Sequence, residues 1–278
     1  MHASTGLLEQ VEAIAREAGA AIMKIYMRDF SSTQKEDESP LTEADTAAHE
    51  IILRRLENLQ PALPILSEEA VGDFTGADDG GRYWLVDPLD GTKEFIKHNG
   101  EFTVNIALIV QGRAILGVVY APALKVAYLA AEGSGAFKSG TDGKRVPIRV
   151  AEHKAGSPWR VVGSRSHAGD SLTEFLRRLG SHELMPMGSS LKFCLVADGT
   201  ADVYPRMGPT SLWDTAAAQC VVERAGGRVI QLNGEPVSYA DPSAVLNPFF
   251  LVHGKSAVEW AELLRDFNKQ PAPKQSVA

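Results

Sequence analysis

Two cysteines in 278 residues, Cys194 and Cys220, form no CxxC pair and no disulfide framework. Both lie in apolar, helix-like stretches and read as small core residues, which fits a reducing compartment. No run of four basic residues occurs, and acidic side chains outnumber basic ones 35 to 28, for a net charge of −7. Sequence-independent binding to DNA or RNA needs clustered Lys and Arg that displace counterions, so polymeric nucleic acid is not an expected partner. A small anionic ligand stays open, because a bound cation inverts the local field. No apolar run approaches the roughly 20 residues of a spanning helix. The opening stretch MHASTGLLEQVEAIAREAG carries Glu9, Glu12 and Glu17, so neither a signal peptide nor a membrane span is expected. Repeats and low-complexity tracts are missing too. What is there is ordinary globular usage, 44% hydrophobic and 23% charged. At about 150 residues per domain the length predicts one large domain or two closely packed ones, with a core that needs neither disulfide nor zinc. The expected location is cytoplasmic.

Leu7, Leu8, Val11, Ile14, Ala15, Ala18, Ile22, Ile25 and Tyr26 recur at helical spacing, which predicts an amphipathic helix over 7–27. SSTQKEDESP (31–40) reads as a loop or short edge strand. A second helix is expected from about Thr42, with Ala48, Ile51, Ile52, Leu56 and Leu59 inward and Pro61 as its stop. Strand signals follow: PILSEE (64–69), YWLVDPLDGT (83–92), and three runs at 102–110, 113–121 and 125–131 whose short turns imply antiparallel pairing. The polar stretch 138–158 is the best candidate boundary, giving an N-terminal lobe over 1–150, a C-terminal lobe over 151–265 and a tail over 266–278. The second half alternates: strand 159–164, helix 170–180, a strand at ELMPMG, helix 190–198, strand 201–206, helix 214–225 closed by Gly226 and Gly227, and strand 228–232. Such alternation suggests stacked helix and sheet layers.

The informative chemistry is acidic. Glu68 and Glu69 follow a strand, and Asp87 and Asp90 bracket the turn in DPLDGT. Carboxylates at i and i+3 across a Pro-containing turn can converge, and bare carboxylates that close repel one another at a cost in stability. A hard divalent cation removes that cost. Oxygen-only donors favour Mg²⁺ or Mn²⁺ over zinc or copper, and the Leu89 carbonyl is a further oxygen within reach. Spacing alone leaves two readings open, a metal site and a solvated acidic loop. Gly91 permits close backbone approach, and N–H groups at a following helix start can hold a phosphate oxygen. Asp214 in SLWDTAAAQCVVERAGG sits where a helix N-cap belongs, either as a simple cap or as a cap whose second oxygen reaches a metal.

Taken in order, SEE (67–69), WLVDPLDGTKEF (84–95) and SLWDTAAAQCVVERAGG (211–227) resemble the paired signatures of the inositol monophosphatase superfamily. The likeness extends from the first helix to about residue 254. KEDESPLTEAD (35–45), SRSH (164–167), GSSLKFC (188–194) and ADVYPR (201–206) are similar to its 3′(2′),5′-bisphosphate nucleotidase branch. The resemblance implies an α/β (α+β) fold, a layered α-β-α-β-α sandwich of the sugar-phosphatase type. It implies Glu68, Asp87, Asp90, Asp214 and the Leu89 carbonyl as ligands of two or three Mg²⁺ ions, with Mn²⁺ able to substitute. Asp45 and Thr92 resemble the pair that orients and helps deprotonate the attacking water. Asp90, Gly91 and Thr92, beside Glu68, Leu89 and Asp214, would face the scissile phosphate, and Glu69 would stand behind them. His167, Ser189, Lys192 and Arg206 match positions that hold the nucleotide and its 5′-phosphate. Their alternative readings are a surface His, a helix cap, a solvated Lys and a salt-bridged Arg. One departure is Thr215, where a second alanine often follows the aspartate; it is not expected to disturb chemistry.

The activity so implied is metal-dependent hydrolysis of the 3′-phosphate of adenosine 3′,5′-bisphosphate to AMP, with the sulfated nucleotide PAPS as a further substrate and lithium as an inhibitor. No covalent nucleophile is called for, since Cys194 and Ser189 lack a His/Asp relay. The partner is a small nucleotide bisphosphate, and oligomeric state is not legible. Some relatives sit peripherally on the inner face of the cytoplasmic membrane, although no basic amphipathic helix here would explain it. The alternatives are an inositol 1-phosphate or fructose 1,6-bisphosphate phosphatase of the same fold, and a non-catalytic protein that keeps the metal site.

Overall fold

Alternating apolar side chains along the central strands feed two different cores, and that alternation sets the layering. The computed structural model describes residues 5–28, 32–34, 40–164, 170–265 and 267. Helix α1 (Thr5–Tyr26) is followed by an antiparallel ribbon, β1 (Ser32–Gln34) with β2 (Pro40–Thr42), and by α2 (Glu43–Glu57). The stripe anticipated on the first helix is buried, from Leu8 and Val11 to Ile22 and Ile25.

Seven strands then form one sheet in chain order: β3 (Ile65–Ser67), β4 (Arg82–Asp90), β5 (Thr103–Val110), β6 (Arg113–Ala121), β7 (Val126–Ala131), β8 (Gly135–Ser139) and β9 (Arg145–Pro147). Only β3 and β4 run parallel; the other neighbours are antiparallel hairpins or meanders. A 3-10 turn (Glu68–Asp73) follows β3, and a short helix, α3 (Thr92–Ile96), follows β4. The second sheet has five strands: β10 (Trp159–Ser164), β11 (His182–Met187), β12 (Val203–Arg206), β13 (Arg228–Gln231) and β14 (Phe250–His253), in the order β11-β10-β12-β14-β13. It is mixed, with β10 parallel to β11 and β12 and β14 antiparallel to β12 and β13. The remaining helices are α4 (Asp170–Leu179), α5 (Leu191–Ala197), α6 (Ala216–Arg224) and α7 (Trp260–Leu264).

Trp84, Val86, Val104, Ile106 and Val118 turn toward α1 and α2. Their neighbours Tyr83, Leu85, Ala107 and Val119 turn the other way, onto Phe193 and Cys194 of α5 and Cys220 and Val221 of α6. Val162, Tyr204, Val229 and Val252 close that central core from the second sheet. The far face of the second sheet, Val161, Val203 and Leu251, packs on Phe175, Trp260 and Leu264 of α4 and α7. The result is the expected α-β-α-β-α sandwich. Strand β6 and helix α6 approach so closely that a Cβ on Gly117 would run into the Ala217 carbonyl and the Cys220 Cβ.

Strands β8 and β9, which extend the first sheet into the polar stretch 138–158, were not anticipated, nor were β14 and α7, which carried no clear periodic signal. The helix expected over 214–225 is also broken. A separate 3-10 turn (Leu212–Asp214) ends at Thr215, whose φ of −120° interrupts the helix before α6 begins. Thr215 is held in that conformation because its Oγ1 donates to Leu212 O and meets the Tyr239 hydroxyl at 3.0 Å. Among the described residues no helix is long and apolar enough to cross a membrane.

Candidate active site

In a regular strand, residues i and i+3 point to opposite faces. Asp87 pairs with Asn105 and Asp90 with Thr103, so Pro88 and Leu89 together oppose the single residue Val104. That one-residue bulge brings Asp87 and Asp90 to the same face as Asn105 and Thr103. Pro88, which lacks an N–H, costs the ladder nothing at a bulge. Gly91, with φ of 95°, then turns the chain into α3; a Cβ there would stand 3.2 Å from the Glu101 carbonyl. Parallel pairing of β3 with β4 delivers Glu68 beside them, and His49 on α2 meets Ser67 Oγ at 3.0 Å just before it.

Glu68, Asp87 and Asp214 form a cluster whose ligand atoms lie within 4.8 Å of one another. Asp87 Oδ1 accepts from Leu89 N at 3.1 Å, while its buried Oδ2 has no partner. Asp214 is not the cap of α6. It is the third residue of the 3-10 turn, in a capping box with Ser211, whose N–H donates to Asp214 Oδ2 at 2.8 Å. Burial, and then the charges of Glu68, Asp90, Asp214 and Asp45, push the Asp87 carboxyl well above the usual carboxylate range. Burial, Asp90 and Glu68 do the same to Asp214. A divalent cation fits this arrangement: the donors are all oxygen, one buried oxygen is orphaned, and the mutual repulsion needs a positive charge.

Asp90 is placed differently. Its Oδ2 accepts from Ser190 N at 2.5 Å and lies 2.7 Å from Ser190 Oγ, with Thr103 Oγ1 and Asn105 Nδ2 both at 3.5 Å. Asp45 is buried in the first turn of α2, close enough for its charge to act on Asp87. Thr92 opens α3 and its Oγ1 donates to the Leu89 carbonyl at 3.4 Å, so the two oxygens expected near the cluster face each other. Glu69 stands half-buried in the 3-10 turn after Glu68.

Beside the carboxylates opens a cavity of about 160 Å³ whose lining includes Asp90, Gly91 and Asp214 together with Ser189, Ser190, Lys192, Tyr204 and Arg206. Lys192 is buried rather than solvated. Its Nζ donates to Ser189 O at 2.6 Å and lies 5.5 Å from the Tyr204 ring centroid. Burial is the main cause that pulls its pKa down to about 8. Arg206 donates from one terminal nitrogen to Pro209 O at 2.7 Å, and its buried Nε has no partner. Ser189 adopts φ of 45°, a left-handed conformation uncommon for a residue with a Cβ. His167 lies outside the described residues.

Several polar residues around the cluster went unnoticed in the sequence. Asn105 and Thr103 are buried polar side chains inside the otherwise apolar FTVNIALIV, which is a legible signal in retrospect. Glu101 Oε2 accepts from Gly188 N at 2.7 Å and fixes the start of the GSS turn. Asn247 Nδ2 donates to Ser211 O at 2.5 Å and to Thr215 Oγ1 at 3.1 Å, bracing both flanks of Asp214 from a loop with no motif.

Comparison with known proteins agrees with this geometry. The model of the inositol monophosphatase family matches residues 5–269. The 3'(2'),5'-bisphosphate nucleotidase CysQ of Salmonella typhimurium is 52% identical over 248 residues, covering 88% of this chain and 99% of that one. The crystal structure of CysQ from Bacteroides thetaiotaomicron superposes with a TM-score of 0.77 at 40% identity, over 89% of this chain and 97% of that one. Inositol monophosphatase from Anabaena gives a TM-score of 0.74 at 26% identity, with 96% of each chain covered. The bulged acidic strand, the braced aspartate before α6 and the five-layer sandwich therefore have a common explanation: the chain belongs to the inositol monophosphatase family.

Proposed function

We propose that this chain is a metal-dependent 3′(2′),5′-bisphosphate nucleotidase that removes the 3′-phosphate of adenosine 3′,5′-bisphosphate to give AMP. The carrying observation is that one cavity adjoins an under-neutralised acidic cluster and is also lined by a buried lysine and a half-buried arginine. Relatives at about half identity over most of the chain, named for this activity, support the same reading. A monophosphatase has no need of the cationic side chains.

Glu68, Asp87, Asp90 and Asp214, with the Leu89 carbonyl, would hold two or three Mg²⁺ or Mn²⁺ ions. Such ions neutralise phosphate charge, lower the pKa of an attacking water and steady the departing oxygen. Asp45 takes the water's proton, and Thr92, whose hydroxyl is already tied to the Leu89 carbonyl, orients that water. Asp90 and the Gly91–Thr92 backbone face the scissile phosphate. Ser189, Lys192 and Arg206, with His167, hold the nucleotide by its 5′-phosphate. Lys192 has three N–H donors and spends one on Ser189 O, so two remain for a phosphate. PAPS, which carries the same 3′-phosphate, is a second substrate.

The test is phosphate release from adenosine 3′,5′-bisphosphate, inositol 1-phosphate and fructose 1,6-bisphosphate side by side, with Mg²⁺, with chelator and with Li⁺. The nucleotide should lead by a hundredfold or more in kcat/KM, roughly 2.7 kcal/mol of transition-state discrimination. A lead for inositol 1-phosphate would overturn the substrate assignment and leave the metal site standing.

A further inference from the structure

Ser190 occupies the N-cap position of α5, where a serine hydroxyl ordinarily accepts from the helix's own N–H groups. It makes no such bond. The side chain points away from its helix, and its Oγ lies 2.7 Å from Asp90 Oδ2 and 2.7 Å from the Asp214 carbonyl oxygen. Asn105 Nδ2 donates to the same Oγ at 2.9 Å. The Ser190 N–H also donates to Asp90 Oδ2, at 2.5 Å. Both Ser190 and Asn105 are almost fully buried. One hydroxyl thus joins the bulge of β4, strand β5 and the 3-10 turn before α6.

From this we infer that Ser190 is a positioning residue for the cation site, fixing Asp90 against Asp214 across the seam between the first sheet and α6. The inference rests on the reading of Asp90 and Asp214 as cation-holding residues. The torsion that rotates an aspartate carboxylate is broad, so the side chain alone does not fix where its oxygens point. The Ser190 N–H donates to Oδ2, the hydroxyl joins it whenever its proton points that way, and together they turn Oδ1 toward a cation. Because Asn105 fills one acceptor site of Oγ, the hydroxyl proton is directed to the Asp90 carboxylate or the Asp214 carbonyl, serving one at a time. Carboxylates that ligate metals depend on such hydrogen-bonded partners, and losing one costs about 10–100-fold in metal affinity or activity. Sequence reading passed over this residue because its neighbour Ser189 carried the resemblance.

The experiment is Mn²⁺ binding by calorimetry to the metal-stripped protein, without substrate, for wild type, Ser190→Ala, Ser190→Thr and Asn105→Ala. Ser190→Ala should bind Mn²⁺ at least about tenfold more weakly. Ser190→Thr, which keeps the hydroxyl, should recover most of that loss, and Asn105→Ala should show a smaller loss in the same direction. At saturating Mn²⁺ the loss of activity in Ser190→Ala should shrink, because the defect lies in cation affinity; the side chain makes its bonds to Asp90 and Asp214, not to Lys192 or Arg206. Wild-type affinity in Ser190→Ala, or a lowered melting temperature with unchanged affinity, would overturn the role of Ser190 alone. If wild type itself takes up no Mn²⁺, the reading of the acidic cluster falls and this inference falls with it. Should Ser190→Ala not fold, Asn105→Ala decides: unchanged affinity there overturns the inference.

Discussion

Glu12, at the margin of burial, and Asp87, completely buried, are both carboxylates taken out of water, and the fold treats them in opposite ways. Glu12, on α1, accepts from Arg16 Nε and an Arg16 terminal nitrogen at 3.0 and 2.8 Å and from Arg145 at 2.7 Å. Burial alone would push its pKa up, but the hydrogen bonds and charges of Arg145 and Arg16 outweigh it and hold the carboxyl below its usual value. Asp202 repeats the pattern with the Arg160 fork. Asp87 has no arginine. Its neighbours are other carboxylates, one of its oxygens is unpaired, and its pKa moves up instead. A buried charge that is fully partnered holds layers together. One left short of partners is a cost to folding that only a ligand can offset, and here it marks the site.

The sharpest way to break that contrast is Asp87→Asn. Metal charge stabilisation is worth several kcal/mol in the transition state, so turnover should fall on the order of a thousandfold or more. The metal-free variant should nonetheless melt higher than metal-free wild type, since one repelling charge is gone. The sign follows from linkage. With their pKa values raised on folding, Asp87 and Asp214 bind more protons in the native than in the unfolded state once pH exceeds the ordinary carboxylate value of 3.8. Their contribution is present in acid and is lost as pH rises toward neutrality. Melting temperature of the chelated wild type should therefore fall as pH rises above the ordinary carboxylate value toward neutrality, and saturating Mn²⁺ should remove the slope. Coincident melting curves for chelated wild type and Asp87→Asn would mean that the acidic cluster carries no stored repulsion.

The complementary change is Glu12→Gln, which leaves two guanidiniums without their carboxylate. A fully buried pair broken in this way costs about 3–5 kcal/mol, and the partial exposure of Arg16 and Arg145 reduces that to about 2 kcal/mol. The melting temperature should drop by roughly 4–8 °C, with kcat and Mn²⁺ affinity at 25 °C unchanged. A loss of activity without a loss of stability would erase the distinction between the two clusters.

This contrast also explains what could be read from the chain. Asp87, Asp90 and Glu68 were legible because the acids stand at strand ends in short contiguous runs, where local geometry is nearly decided by Pro88 and Gly91. The first helix was legible because a long amphipathic stripe has only one good solution. Asp214 was found, but its place at the cap of the helix was misread, since the break at Thr215 is imposed by Tyr239 and Asn247 from a distant loop. Ser190 and Glu101 were invisible for the same reason: their partners lie 100 and 87 residues away. Strands β8 and β9 were missed because neither has a buried apolar face to betray it: in β8 only Ala136 and Ser139 are buried, and in β9 Val146 and Pro147 are exposed.

The smallest effect concerns the cationic part of the same cavity. Lys192 is a buried cation with one carbonyl partner, and burial first, then Arg206, lowers its pKa to about 8 against the pull of Asp90, Glu94 and Asp214. Its folded value lies below its unfolded one, so the protein should gain stability as pH rises from about 8 to 10.4. Binding should move the other way. The profile of kcat/KM reports groups in the free enzyme, and a charged Lys192 is needed to hold a second phosphate. For adenosine 3′,5′-bisphosphate kcat/KM should decline above about pH 8, while for a monophosphate that does not reach Lys192 it should not. The substrate cannot supply this limb, because phosphate monoesters complete their second ionisation near pH 6. Lys192→Ala should raise KM for the bisphosphate about tenfold, the worth of one charge-assisted hydrogen bond, leave kcat near wild type and abolish the limb. Lys192→Arg should keep the charge and push the limb beyond the measurable range. A limb that persists in Lys192→Ala would assign it to another group and return Lys192 to the class that Glu12 represents, a buried charge that serves the fold.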